Sequence, residues 1–194
     1  MTDHVQSHQR LSRPAVTAVV AAIISVGAAL LLFPFVSSGP YAWALTGCLA
    51  VAASALAIVD VRTHTLPNRH VSAVATAGVA QAAVVSAAYH DGTRFLVSLV
   101  AAAAVFTMYV VLGLLGWFGF GDAKFAGALT ITVAIYAGLA ALYLMPLAIV
   151  FAAVGMLFGR ASGRVSHARA HGPAIGLAAV CIMTAAVLGH LAAR

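Results

Sequence analysis

The sequence has no glutamate and only four aspartates, Asp3, Asp60, Asp91 and Asp122. H-E-x-x-H, G-x-S-x-G and GxxxxGK[ST] are all missing, so metalloprotease, serine-hydrolase and nucleotide-loop chemistry have no support. Cysteine is nearly absent too. Cys48 and Cys181 are the only two, each inside an apolar run, too far apart for a disulfide framework or a zinc site. They read as small core residues. Charge is scarce: 7% of residues are charged and 63% hydrophobic, where a soluble domain carries about 25% charged. With a mean hydropathy of +1.06, the chain reads as an all-α, polytopic transmembrane helix bundle whose surroundings are the lipid bilayer. The net charge of +6 would suit nucleic acid. The arginines, however, lie in short loops between apolar runs, which points to orientation in a bilayer and to no nucleic-acid partner.

What is present is a series of apolar runs. A polar tail, residues 1–13, precedes a single transmembrane domain, residues 14–192. The first run, 14–36, is 23 residues without charge, enough to cross about 30 Å of hydrocarbon. It is longer than the apolar region of a signal peptide and is read as span one. Spans two to four are expected at 41–59, 71–89 and 95–117. The uncharged run 125–158 is 34 residues long, too long for one crossing. It is expected to split near Ala137–Gly138 into spans five and six, with Pro146 inside the sixth, where neighbouring helices make a kink tolerable. Span seven is expected at 173–191. There is no internal repeat, and the alanine-rich stretches read as helix-packing surface.

With about seven spans, one face collects Arg10, Arg13, Arg62, Arg69, Lys124, Arg160, Arg164 and Arg169, and the other only Arg94 and Arg194. Eight cations against two predict a cytoplasmic N-terminus. Asp3 lies in the tail and Asp91 in a polar turn. Asp60 and Asp122 end or begin apolar runs, where an ionisable group marks a functional-site hypothesis. Two spans separate them, so the chain returns to the same side and both sit at the cytoplasmic boundary.

Two carboxylates sharing a water can hydrolyse a peptide bond. One takes a proton from the water; the other donates one to the scissile carbonyl. Like charges about 3 Å apart cannot both ionise cheaply, so the pair keeps one proton. Asp122 starts a helix and Asp60 ends one, so the helix dipole predicts that Asp122 is ionised and Asp60 protonated. Gly119 and Gly121 either clear space for a substrate backbone or end a helix. Lys124 either holds a substrate carboxylate or, more simply, snorkels to the interface. Arg62 reads as a positive-inside charge, and Asn68, just after Pro67, as a helix start. The loop histidines, His64 with His70 and His167 with His171, lack a ligand spacing and read as solvated. No metal or cofactor is expected.

The stretch VDVRTHTLPN, residues 59–68, resembles the first signature of type IV prepilin peptidases. GFGDAK, 119–124, resembles their GxGD signature, and HGPAIGLA, 171–178, resembles the segment opening their last helix. The similarity covers roughly residues 41–191. It implies a membrane aspartic endopeptidase of the inner or plasma membrane that removes the basic leader of pilin-like precursors at the cytoplasmic face. The resemblance makes Asp60 and Asp122 the catalytic pair, with Gly119, Gly121, Pro67, Asn68, Gly172 and Pro173 as supporting positions. Long members also carry paired Cys-x-x-Cys motifs linked to methylation. The two distant cysteines here resemble the short, peptidase-only members, those of tight-adherence pili or competence pseudopili; preflagellin peptidases share the signature.

Two other readings compete. Presenilin-like proteases also use GxGD, but they have Tyr before the first aspartate, where this chain has Val59, and a Pro-Ala-Leu segment, where it has Pro173-Ala174-Ile175. A proton-relay or structural membrane subunit would place its acids mid-span along a path rather than at span ends.

Overall fold

The computed structural model describes residues 39–63, 66–161 and 171–192. They form α1 (Gly39–Thr63), α2 (Asn68–Ala88), α3 (Gly92–Leu114), α4 (Phe120–Ala137), a 3-10 segment (Gly138–Tyr143), α5 (Leu144–Ala161) and α6 (Gly172–Ala192). Past Lys124 the chain carries no charge until Arg160. A helix apolar all round belongs in the middle of a bundle, and α4 lies there. Residues 125–135 are all buried, and α4 packs against α2, α3 and α6, while α1 and α5 pack against α6. Its two threonine hydroxyls are satisfied within the protein: Thr130 donates to the Ala126 carbonyl at 2.7 Å and Thr132 to the Gln81 side-chain oxygen at 3.3 Å.

Five described stretches are long and apolar enough to cross a membrane: Tyr41–Thr63, Asn68–Ala88, Gly92–Leu114, Phe120–Phe158 and Gly172–His190. Large apolar side chains such as Leu96, Val100, Val111 and Leu188 face outward, as a lipid solvent allows. The expected span one, 14–36, lies outside the described residues. Within 125–158 the α-helix breaks at Gly138, which adopts φ +56°, beside the expected split. Pro146 is the third residue of α5, where a missing N–H costs no helical bond. At the α2–α3 turn Asp91 caps α3, accepting from the Thr93 N–H at 3.0 Å and pairing with Arg94 at 3.2 Å.

Helices approach closely where side chains are small. A Cβ at Gly127 would stand 3.1 Å from the Phe106 Cβ and 3.5 Å from the Ala102 carbonyl oxygen. Gly127→Val is therefore expected to destabilise the bundle by about 1–3 kcal/mol through overpacking. Thermal melting in detergent checks this against Gly47→Ala, where nothing lies within 4 Å.

Candidate active site

Asp60 lies one turn before the end of α1 and is only 5% exposed. A buried carboxylate needs a donor. It has one from a residue 112 positions away: the Gly172 N–H donates to Asp60 Oδ2 at 2.9 Å. Gly172 is the first residue of α6, where backbone N–H groups have no helical acceptor and favour an anion. Only glycine fits, because a Cβ there would stand 2.7 Å from Asp60 Oδ2.

Asp122 is the third residue of α4. Its Oδ2 accepts from the Gly119 N–H at 3.1 Å, while its own N–H donates to the Gly119 carbonyl at 3.0 Å. This is the carboxylate half of a capping box; glycine has no side chain to supply the other half. The residues next to the two donors touch, with the His171 ring 4.6 Å from that of Phe118, so both carboxylates sit at one end of the bundle. The expected dipole asymmetry between them does not survive. Asp60 ends its own helix but faces the N-terminus of α6, so both carboxylates meet helix N-termini and the dipole assigns neither as the acid.

The two loops interlock. Pro67 takes the N-cap of α2 with φ −61° and ψ 128°, so Asn68 is the first helical residue rather than the cap. The Asn68 side-chain oxygen accepts from Lys124 Nζ at 2.8 Å, and the ammonium also sits 4.7 Å from the Phe120 ring centroid. Lys124 thus ties the start of α4 to the start of α2 rather than simply snorkelling. A Cβ at Gly121 would meet the Leu66 Cβ at an ordinary 3.6 Å. Arg62 and Pro173 lie on another flank, lining an apolar groove of about 720 Å³ between α1 and α6.

The histidines correct the expectation of solvated loops. His70 is buried. His171 is half-buried, with its ring 4.6 Å from that of Phe118 and its Nε2 3.4 Å from the Tyr109 hydroxyl. Burial pushes the His171 imidazole down to about 4, so it is neutral near pH 7. His64 and His167 lie outside the described residues. Tyr109 and Phe118 were not singled out from the sequence. The available signal was adjacency, since Phe118 precedes Gly119 and His171 precedes Gly172.

Fold and site define a class: a multi-pass helical membrane protein with two carboxylates gathered at one end of its bundle. The model of the type IV leader peptidase family matches residues 47–188, and the chain belongs to that family; it is a membrane peptidase. No curated protein and no solved structure matches it.

Proposed function

We propose that the protein is an aspartic endopeptidase that removes the short basic leader from type IV pilin-like precursors at the cytoplasmic membrane face. Asp60 and Asp122 share one proton and hold a water between them. The ionised carboxylate takes a proton from the water as its oxygen bonds to the scissile carbonyl carbon. The other carboxyl gives its proton to the carbonyl oxygen. Collapse of the tetrahedral intermediate breaks the C–N bond, and the amine leaves with a proton from the pair. The two aspartates titrate as a unit.

One observation carries this reading: Asp60 and Asp122, 62 positions apart in sequence, are each held by a backbone N–H at a helix start, and the two starts meet where the His171 ring lies 4.6 Å from that of Phe118. A proton relay would favour acids along a mid-membrane path. Gly119 and Gly121 leave room beside Asp122 for the extended backbone of a substrate. Asn68 and Lys124 brace that opening, and Arg62 and Pro173 border the route along which an apolar substrate helix would approach Asp60.

The membrane orientation belongs to the same proposal. His190 at the end of α6 contacts the Tyr136 carbonyl at 3.0 Å near the end of α4, while Gly172 at the start of α6 meets Asp60. Only nine residues join α5 to His171, a reach of about 30 Å at full extension. A return of α5 across the bilayer satisfies both constraints. With residues 14–36 this makes seven spans, with the N-terminus and the site cytoplasmic.

Purified protein in liposomes, mixed with a precursor bearing a Lys/Arg leader before an apolar helix, is expected to release that leader. Mass spectrometry of the products locates the cut. Failure to cleave any such precursor, with the protein folded and correctly oriented, would remove the proposal.

A further inference from the structure

Asp60 and Asp122 sit on different helices, and nothing in either helix sets their separation. The Gly172 N–H holds one and the Gly119 N–H the other. Both donors lie next to an aromatic ring. His171 precedes Gly172, and its carbonyl accepts from the Ala174 and Ile175 N–H groups at 3.0 and 3.2 Å, so it is the residue that opens α6. Phe118 precedes Gly119. The two rings lie 4.6 Å apart at 33°. Tyr109 of α3, fully buried, closes the group at 5.1 Å from Phe118 and 6.1 Å from His171.

Resting on the dyad reading above, we propose that His171, seated against Phe118 and Tyr109, is a positioning residue that fixes the distance between the Asp60 and Asp122 carboxylates. Its ring joins the backbone donor of one carboxylate to the backbone donor of the other. Offset and tilted ring contacts of this kind are directional, so the cluster fixes an orientation as well as filling space. A neutral ring suits the place. The groups facing it are the Tyr109 phenol from α3 and, through the neighbouring backbone donors, Asp60 from α1 and Asp122 from α4. Charging the imidazole at low pH draws it toward water and loosens Gly172 from Asp60.

The role belongs to the ring as a packed aromatic, so phenylalanine should replace it. His171→Ala is expected to lower kcat about 100-fold, the scale of a catalytic group misplaced by about 1 Å, with KM nearly unchanged. His171→Phe should recover most of that loss and remove one proton's worth of steepness from the acid side of the kcat profile. Tyr109→Phe keeps the rings and should act mildly. A wild-type kcat in His171→Ala, or a His171→Phe as slow as His171→Ala, would overturn the assignment.

A second measurement needs no activity. Spin labels at Val61 and Phe120, both exposed, are placed on a background without other cysteines. They report the separation of the two helix ends by pulsed electron resonance. The distance distribution should broaden in His171→Ala and stay narrow in His171→Phe; an unchanged distribution in His171→Ala sinks the proposal. Asp60→Asn run alongside separates the failure of the dyad from the failure of the ring cluster. If Asp60→Asn still cleaves, the dyad fails while the distance result stands by itself.

Discussion

Asp60→Asn and Asp122→Asn are each expected to slow leader cleavage by roughly 10²–10⁴-fold while leaving the bundle folded. Asparagine has the shape of aspartate, and its amide oxygen can still accept the Gly172 or Gly119 N–H. The contacts that place each side chain therefore persist. What is lost is the ability to take a proton from water or to hand one to the carbonyl. Neither amide carries a charge, so the repulsion between two nearby acids disappears and melting temperature should hold or rise. The double variant should be little slower than either single one, because groups that act as a unit do not add. A time course of precursor cleavage in liposomes, with circular dichroism on the same samples, checks all three points. A single variant that keeps about a tenth of the wild-type rate or more lies outside that range and would leave the dyad without a role.

Sequence alone carried the local part of this picture. Asp60 and Asp122 stood out because an acid at the end of an apolar run is costly, and an even number of expected crossings returned them to one side. The break beside Gly138 was legible because a 34-residue uncharged run exceeds a bilayer crossing. What stayed hidden was set by distance along the chain. The donor to Asp60 lies 112 residues away, and no periodicity or spacing reports such a contact. His171 looked like a solvated loop residue because its neighbours 167–170 are polar or small; its burial comes from Phe118 and Tyr109, on other segments. Lys124 likewise read as a snorkelling cation until Asn68, 56 residues earlier, proved to be its acceptor. The dipole argument failed for the same reason, since it counted only the helix that bears each aspartate and not the helix end that faces it.

The glycines of the three motif stretches are not equivalent, and this separates protein from substrate constraints. Gly119 has φ −81° and ψ 152°, which any residue adopts, and a Cβ there would meet Asp122 Oδ2 at 3.4 Å. Gly121 would meet Leu66 at 3.6 Å. The folded protein can accept alanine at either place with little or no adjustment. A loss of cleavage without a loss of stability in Gly119→Ala or Gly121→Ala would then report crowding of the substrate backbone beside Asp122.

Gly172→Ala should behave differently, with cleavage down about 100-fold and stability down as well. Its new Cβ would lie 2.7 Å from Asp60 Oδ2 and 3.1 Å from both Cβ and Cγ of Asp60. Real Cβ atoms do not sit so close, and the neighbour is a short, buried side chain that cannot move without losing its backbone donor. Either the carboxylate rotates off the Gly172 N–H, or the start of α6 moves out and pulls His171 from Phe118. Both paths shift Asp60 relative to Asp122. A shift of about 1 Å in a catalytic group is enough for a 10²-fold loss, and overpacking of this kind costs about 1–3 kcal/mol of stability. Parallel measurement of kcat and melting temperature for Gly172→Ala, Gly121→Ala and wild type tests it. Gly172→Ala should be slow and less stable and Gly121→Ala as stable as wild type. A fully active, fully stable Gly172→Ala would mean that α6 does not begin against Asp60. The backbone donor would then be absent, and with it the link by which the aromatic cluster holds the two acids together.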